Sequence, residues 1–294
     1  MKIKNGEYKQ YINGVIHWIK IDGAENHTTP LVIIHGGPGG NVYAFERTIG
    51  PLLSKNRTVI YYEQRGCGRS ESPDSENAFT FNDLINDFKE IHHWLGVEKV
   101  DLFGYSFGGE LALEITHAVP NKINKVILSG PSLIGLKTQY LIQMAGFMSV
   151  ADPSFISVIE RILEEPGTLE ERYVRLWKAA DTATTDRFLF ENQSLATEYR
   201  RLTKESKMTN TGLMLKAIQN KPPTIPLYER LKETKQDILI VTGVHDRNSG
   251  VPISNQIHRQ LENSKLVLFN NSAHFPYMEE PQPFLEQLIS FLEV

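Results

Sequence analysis

The stretch VDLFGYSFGGELALEI, residues 100–115, places a lone serine between an apolar run and a segment with helical character. Gly104 lies two residues before Ser106, and Gly108 lies two residues after it. A strand-to-helix turn with this pattern holds a nucleophile in strained backbone geometry, and the small residues let the strand and the helix approach closely. The hydroxyl then lies at a helix N-terminus, where developing negative charge is favoured. Ser106 is therefore a candidate nucleophile; a purely structural turn is the simpler alternative.

Strand-like and helical segments alternate on both sides of this turn. Short runs rich in β-branched and aromatic residues at 30–36 and 57–64 indicate buried strands of a mostly parallel sheet. The segment 81–96 carries apolar residues at helical spacing. The pair Asn13-Gly14 between two strand-like runs predicts a hairpin. Together these patterns predict an α/β fold, with a mostly parallel central sheet flanked by helices.

The alternation of strands and helices stops after Pro131. Residues 132–227 have helical periodicity without a convincing strand, and DILIVTG at 237–243 resumes the strand pattern. A helical insertion in an α/β sheet is the economical interpretation. We therefore predict a core formed by residues 1–131 and 228–294, with residues 132–227 forming a helical cap inserted after the sixth strand.

The composition excludes several classes of protein. The chain of 294 residues has a net charge of −4 and no basic field, which argues against nucleic acid as a partner. Cys67 is the only cysteine, which leaves no intramolecular disulfide framework and no Cys-rich metal cluster. The N-terminal residues lack the apolar core of a signal peptide, and no apolar run reaches the roughly 18 residues of a membrane span. We expect a cytoplasmic protein without a membrane partner; no oligomeric state follows from the sequence.

Three glycine-rich loops follow predicted strands, and each is a candidate for a functional site. They are HGGPGG at 35–40, EQRGCGRS at 63–70 and the GYSFGG turn. None ends in the Gly-Lys-Ser/Thr of a phosphate-binding loop, and GCGRSE lacks the third glycine of a dinucleotide fingerprint. Nucleotide binding is therefore disfavoured. We expect a reaction that needs neither a metal nor an organic cofactor.

A serine nucleophile needs a base that accepts its proton and a carboxylate that holds the tautomer of that base. In this kind of turn the chain order is serine, acid, histidine. Of the nine histidines, His274 follows the last predicted strand, at the sheet edge where active sites of open α/β sheets gather. Asp246 lies in the loop after the penultimate strand, and the alternative for it is an N-cap of the next helix. Asp237 opens that strand and so belongs to the opposite edge.

The oxyanion of an acyl-transfer intermediate needs backbone N–H donors. We expect one from Phe107, the residue after the nucleophile, and the other from HGGPGG, the loop after the third strand. Glycine lets the backbone turn its N–H groups inward there, and we favour Gly37 as this donor. A turn shaped only by packing is the alternative. His35, at the end of the strand, is expected to brace this loop.

HGGPGG, QRGCGRS and GYSFGG occur in an order and at a spacing that resemble the α/β-hydrolase superfamily and, more narrowly, the proline iminopeptidase family of serine peptidases. The similarity covers roughly residues 1–131 and 228–294. It implies that the helical insertion is a cap supplying much of the substrate pocket. It also implies hydrolysis of an N-terminal residue, often proline, from a short peptide.

The sequence departs from the pattern of that family at positions that concern the substrate. The family uses acidic residues to hold the free ammonium of the substrate, in some members a Glu next to the acid. Here that position is Arg247, which is expected to repel an ammonium. The strand-end motif also begins with Glu63 where an Asp is usual. Nine acidic residues of the cap are candidates that the sequence does not rank: Glu160, Glu164, Glu165, Glu170, Glu171, Asp181, Asp186, Glu191 and Glu198.

Several other activities are compatible with these residues. The first is a carboxylesterase or lactonase acting on small acyl esters, which Arg247 favours. A cofactor-free haloperoxidase-like reaction uses the same three side chains, and a ligand receptor is a non-enzymatic use of this fold. Dehalogenation needs an Asp nucleophile, so Ser106 disfavours it.

Overall fold

The computed structural model describes residues 3–206 and 211–293 of the chain. Its strands form one eight-stranded sheet. The strands are β1 (Gly6–Ile12), β2 (Val15–Asp22), β3 (Leu31–Ile34), β4 (Val59–Tyr62), β5 (Val100–Tyr105), β6 (Ile123–Ser129), β7 (Asp237–Gly243) and β8 (Ser264–Phe269).

The strand order is β1-β2-β4-β3-β5-β6-β7-β8, so the sheet is parallel from β4 onwards. The first two strands run antiparallel to their neighbours. The predicted hairpin at Asn13-Gly14 is confirmed: φ is 48° at Asn13 and 82° at Gly14, the positive values that a tight two-residue hairpin turn requires. The predicted α/β fold with a mostly parallel sheet is likewise confirmed.

Helices connect the parallel strands and fill the segment between β6 and β7. No helix in the described ranges has the length and apolar character needed to cross a bilayer. The helices are α1 (Tyr43–Arg47), α2 (Gly50–Leu53), α3 (Phe81–Leu95), α4 (Phe107–Ala118), α5 (Thr138–Val150), α6 (Pro153–Glu164), α7 (Leu169–Ala179), α8 (Thr182–Leu189), α9 (Gln193–Glu205), α10 (Leu213–Asn220), α11 (Leu227–Arg230), α12 (Gly250–Gln260), α13 (Pro276–Glu279) and α14 (Pro281–Glu293).

Both faces of the sheet are covered by apolar side chains. Because side chains alternate along a strand, Val32 and Ile33 of β3 point to opposite faces. Val32 packs in a cluster with Phe88 of α3 and Leu111 of α4. Ile33 belongs to a second cluster that includes Phe284 of α14. Burial on both sides explains why the central strands read as continuous apolar runs.

The segment between β6 and β7 has an apolar core of its own. Phe147 of α5 stacks on Phe188 of α8 with 4.2 Å between ring centroids, and Leu176 of α7 packs in the same cluster. In this segment the described residues form helices α5 to α11 and no strand. The helical insertion after the sixth strand is thus present, while the division of the chain at residues 131 and 227 stays a prediction.

Candidate active site

The turn between β5 and α4 holds Ser106 in an unusual backbone conformation. Its φ of 54° and ψ of −127° lie in a region that residues with a side chain rarely adopt, at a cost of about 1–3 kcal/mol. Hydrogen bonds from Ser106 N to Ser129 O (2.9 Å) and from Gly109 N to Ser106 O (2.9 Å) fix this conformation. Ser106 is half-buried at the start of α4, whereas its neighbours are buried. The turn therefore presents the hydroxyl at the strand end.

The glycines on either side of Ser106 allow the strand and the helix to meet. A Cβ on Gly104 would overlap the backbone of Gly108, and a Cβ on Gly108 would overlap the carbonyl oxygen of Ile34. The two positions have no space for a side chain, in agreement with the packing role inferred from the sequence. The sharp turn at Ser106 depends on this close approach.

Asp246 and His274 form a buried pair at the carboxyl ends of β7 and β8. His274 Nδ1 lies 3.1 Å from each carboxylate oxygen of Asp246, and the two residues are 4% and 6% exposed, respectively. The backbone N–H groups of Asn248 (2.9 Å) and Ser249 (3.2 Å) also donate to Oδ1 of Asp246. These donors hold the Asp246 side chain in the orientation in which it faces the imidazole.

Ser106 and His274 line one cavity of about 220 Å³ between the strand ends and the cap. A neighbouring cavity of about 320 Å³ is also lined by Ser106, and its other walls come largely from the cap. Within the described ranges, no hydrogen bond joins the Ser106 hydroxyl to His274. Nε2 of His274 instead lies 3.1 Å from Nδ2 of Asn248. The structure thus brings Ser106, Asp246 and His274 to one edge of the sheet, with Asn248 among them.

The two residues predicted to supply oxyanion donors flank Ser106. Phe107 is the first residue of α4, so its backbone N–H has no partner within the helix. Gly37 lines both cavities together with Ser106 and has a φ of 136°, in the region that favours glycine. Gly37 therefore borders the space in front of the hydroxyl, and Phe107 directly follows Ser106 in the chain.

His35 braces the HGGPGG loop and takes no part in the cavity walls. The Gln64 backbone N–H donates to His35 Nε2 (3.0 Å), which leaves Nδ1–H to donate to the carbonyl of Gly36 (3.0 Å). Burial lowers the pKa of His35 and so favours the neutral imidazole that this arrangement needs.

The side-chain contacts of the EQRGCGRS loop also stabilise the loop itself. Glu63 accepts hydrogen bonds from the Arg69 guanidinium at 2.8 and 3.1 Å, and this guanidinium stacks on the ring of Trp18. A Cβ on Gly68 would overlap the Glu63 carboxylate. This buried carboxylate therefore organises its own loop, and it does not line either cavity beside Ser106.

The position of Arg247 beside Asp246 in the sequence suggests that its guanidinium faces the substrate, but in the structure the guanidinium points to the cap. Its guanidinium pairs with Glu191 and donates to the carbonyl of Arg187 (3.1 Å) and to the hydroxyl of Ser149 (3.2 Å). It lines neither cavity. Arg247 therefore ties the loop of the acid to the cap, and Glu191 opposes its charge.

The structure separates these nine acidic residues of the cap by their surroundings. Six have partners within the cap or in Arg247, namely Glu165, Glu171, Asp181, Asp186, Glu191 and Glu198. Glu160 and Glu164 lie on the exposed side of α6. Glu170, in the first turn of α7, lines the cavity of about 320 Å³ together with Ser106. It is the member of this set that is in a position to meet a bound molecule.

Aromatic side chains of the cap form a wall of the same cavity. The rings of Tyr140 and Tyr173 stack at 4.6 Å, and Trp177 follows one turn along α7. Burial and the nearby charge of Glu170 raise the pKa of Tyr140. The cavity therefore combines apolar ring faces with one carboxylate.

The cap also supports the loop that carries His274. The His274 backbone N–H donates to the carbonyl of Leu189 (3.1 Å). Next to it, the ring of Phe275 stacks on Phe190 and Tyr199 with centroid distances of 4.9 and 4.8 Å. The Glu279 carboxylate accepts from backbone N–H groups of both the cap and the His274 loop. The position of the imidazole thus depends on the cap as well as on the sheet.

Sequence reasoning missed Asn248, Gln143 and Trp177, which contribute polar groups to this site. Gln143 Nε2 donates to Asn248 Oδ1 (2.7 Å), and Trp177 Nε1 donates to Gln143 Oε1 (2.9 Å). The one signal in the sequence was the place of Asn248, two residues after the acid. The described residues contain no group of three or more His, Cys, Asp or Glu side chains that could hold a metal ion.

Comparisons with known proteins connect this geometry to a family. A family model described as alpha/beta hydrolase fold matches residues 29–281. The proline iminopeptidase of Saccharolobus solfataricus is 25% identical over 303 residues, which cover 97% of this chain and 91% of that protein. The proline iminopeptidase of Clostridioides difficile is 28% identical over 276 residues, covering 90% of this chain and 89% of that protein.

Solved structures share the fold across the whole chain. The proline iminopeptidase-related protein of Thermus thermophilus has a TM-score of 0.80 at 21% identity, covering 99% of this chain and 98% of that one. The esterase of Exiguobacterium antarcticum has a TM-score of 0.70 at 20% identity, covering 99% of this chain and 100% of that one.

Proposed function

This chain belongs to the alpha/beta hydrolase fold family and is a hydrolase of that fold; we propose that it is a serine hydrolase that releases an N-terminal residue from short peptides. The observation that carries the proposal is the arrangement at the strand ends. Ser106 on its strained turn shares one cavity with His274, and His274 is paired with the buried carboxylate of Asp246.

The mechanism follows from the chemistry of these side chains. Ser106 Oγ attacks the substrate carbonyl while His274 Nε2 accepts its proton, and Asp246 holds the other ring nitrogen in its protonated form. The N–H groups of Phe107 and Gly37 donate to the oxyanion. The leaving amine takes the proton from His274, and water activated by the same imidazole hydrolyses the acyl-enzyme. The proposed chemistry needs no cofactor.

The cap supports a substrate with a free ammonium and an apolar N-terminal residue. The aromatic wall of Tyr140, Tyr173 and Trp177 suits a pyrrolidine ring or an apolar side chain. The carboxylate of Glu170 in the same cavity provides the charge that an ammonium requires. Arg247 no longer opposes this interpretation, because its charge is paired with Glu191 away from the cavity. The names of the relatives agree with a peptidase of this kind.

Hydrolysis of small acyl esters is the second candidate. The same nucleophile, base and oxyanion donors serve an ester, and Glu170 is solvent-exposed, so that a neutral substrate meets no buried unpaired charge. Glu170 therefore decides between the two substrate classes.

The experiment combines a substrate panel with two substitutions. Prolyl-, alanyl- and leucyl-arylamides are compared with their N-acetylated forms and with nitrophenyl esters. We expect turnover of the free aminoacyl-arylamides and loss of all turnover and of fluorophosphonate labelling in Ser106→Ala. Glu170→Gln should raise KM about tenfold for free N-termini, the loss of about 1.4 kcal/mol of binding, and should leave ester turnover unchanged.

Matched controls separate these effects from damage to the fold. Ser157→Ala removes an exposed hydroxyl of α6, and Glu164→Gln removes an exposed carboxylate of the same helix. Persistent labelling in Ser106→Ala would rule out Ser106 as the nucleophile. Ester turnover without arylamide turnover would move the assignment to esterase. An unchanged KM for free N-termini in Glu170→Gln would rule out Glu170 as the group that binds the ammonium.

A further inference from the structure

A continuous set of hydrogen bonds leads from the cap to the proposed base. Trp177 Nε1 donates to Gln143 Oε1 (2.9 Å), Gln143 Nε2 donates to Asn248 Oδ1 (2.7 Å), and Asn248 Nδ2 lies 3.1 Å from His274 Nε2. Trp177 and Gln143 belong to cap helices α7 and α5, and Asn248 follows Asp246 in the core. We call these three side chains the relay.

The indole of Trp177 fixes the direction of every bond in the relay. An indole N–H only donates, so Gln143 presents its carbonyl oxygen to Trp177 and its amide nitrogen to Asn248. Asn248 must then accept with its oxygen, which leaves its amide nitrogen as the donor to His274. Nε2 of His274 is therefore the unprotonated nitrogen, and Nδ1–H donates to Asp246. This is the tautomer that a general base for Ser106 requires.

The last bond of the relay occupies the lone pair that the reaction needs. Nε2 of His274 accepts the Asn248 amide, and within the described residues the Ser106 hydroxyl has no hydrogen-bond partner. The imidazole cannot take the serine proton along the same lone pair while it holds the Asn248 N–H. The structure thus has the correct tautomer of His274 with its basic nitrogen engaged.

We propose that Asn248 is a positioning residue that acts as a latch on His274, held by Gln143 and Trp177 of the cap and released when substrate occupies the cavity. This inference rests on the proposed serine hydrolase function. All three relay residues line the cavity of about 320 Å³ beside Ser106, so a substrate there contacts them directly. Its polar groups compete for the Gln143 and Asn248 amides, and the imidazole then turns to Ser106.

The size of the effect follows from the strength of one amide hydrogen bond. Such a bond shifts an equilibrium about two- to tenfold, and the reactive fraction of the free enzyme is reduced by that factor. Asn248→Ala removes the donor but keeps the backbone N–H that binds Asp246. This substitution should therefore label Ser106 about two- to tenfold faster with a fluorophosphonate probe and lower KM for arylamides, with kcat nearly unchanged.

Asn248→Asp should change the labelling rate of Ser106 in the opposite direction to Asn248→Ala. A carboxylate cannot donate to Nε2, and it stabilises a protonated imidazole that is unable to accept the serine proton. Labelling at neutral pH should slow about tenfold. A purely structural role of Asn248 does not predict opposite signs for two substitutions. Asn121→Ala, at an exposed asparagine, is the control and should label like the unmodified chain.

Gln143→Leu tests the relay without changing Asn248. It should accelerate labelling as Asn248→Ala does, and it should add nothing in the double variant, because both act on one bond to His274. It also keeps the test decisive if Asn248→Ala does not fold. Equal labelling rates in all of these variants, or the same direction of change in Asn248→Ala and Asn248→Asp, would overturn the latch. Labelling that persists in Ser106→Ala would instead overturn the proposed function on which the latch depends.

Discussion

The strand ends of the sheet and the helices of the cap contribute to one cavity in different ways. At the strand ends, backbone geometry fixes each group, as in the turn at Ser106 with its φ of 54°. In the cap, side chains such as Glu170 and Trp177 are placed by the packing of amphipathic helices around Phe147 and its neighbours. The strand ends therefore carry the reacting atoms, and the cap surrounds them.

This difference indicates that reaction chemistry and substrate choice are encoded by separate kinds of interaction. Substitutions at the strand ends should affect the reaction itself, whatever the substrate. Substitutions in the cap that leave its contacts with the His274 loop intact should change affinity and stability while the reaction remains possible. The relay through Asn248 and the contact of Leu189 with the His274 loop join the two regions.

The largest expected effect comes from the acid at the strand end. Asp246→Asn replaces an oxygen that accepts from His274 Nδ1–H by an amide that favours the wrong tautomer, and kcat should fall on the order of 10⁴-fold. The matched control is Asp237→Asn, at the opposite end of the same strand, which is exposed and should keep full activity. Steady-state rates on arylamide and ester substrates measure both variants. A loss of less than tenfold in Asp246→Asn would remove the carboxylate from the mechanism.

A smaller effect is expected from the apolar core of the cap. Phe147→Ala removes a fully buried ring that stacks on Phe188, at a cost of roughly 3–5 kcal/mol of packing. Limited proteolysis should cleave within residues 138–189 much sooner, and KM should rise, whereas labelling of Ser106 persists. Met148→Ala is the control, since Met148 is 40% exposed one residue further along α5. Loss of labelling equal to that of Asp246→Asn would show that the two regions are not separable.

The smallest effect concerns Glu110, at the junction of the two regions. Its carboxyl accepts from the Ile134 N–H (2.7 Å) and from the Ser132 hydroxyl (3.2 Å), and burial raises its pKa to about 8. The folded chain therefore keeps a proton that the unfolded chain releases. The resulting stability is present below the ordinary carboxyl pKa and is lost as the pH rises towards 8.

Denaturation with urea at pH 6, 7 and 8 measures this loss. The free energy of unfolding of the unmodified chain should fall as the pH rises. The slope should be steeper than that of Glu110→Gln by up to roughly 1.4 kcal/mol per pH unit. Glu90→Gln, at an exposed glutamate of α3, should keep the slope of the unmodified chain. Identical slopes in all three proteins would mean that Glu110 is ionised when folded.

The sequence predicted the strand-end positions because they follow from chain order and edge geometry. Ser106 needed only its flanking glycines, and Asp246 and His274 needed only their places after the last two strands. The central strands were predictable for a similar reason, since burial on both faces leaves continuous apolar runs. These features depend on a few neighbouring residues.

The residues of the cavity wall were not predictable in the same way. Glu170 and Glu171 are adjacent acidic residues at a helix start, yet Glu171 closes a capping box with Thr168 while Glu170 faces the cavity. No feature of the neighbouring sequence distinguishes these two glutamates. The position of Arg247 beside the acid predicts a guanidinium near the substrate. In the structure this guanidinium pairs with Glu191 of the cap, which is distant in sequence. Such choices depend on how separate helices pack together.

The stacking of Phe275 between the cap rings has a consequence for engineering this chain. A designer who wishes to change substrate preference by transplanting helices from a relative would also remove Leu189, Phe190 and Tyr199, which hold the loop of the imidazole. A chimera that exchanges the cap alone should therefore lose its reaction together with its old preference. A viable graft carries residues 271–280 with the donor helices, so that the recombination unit is the cap plus the last loop.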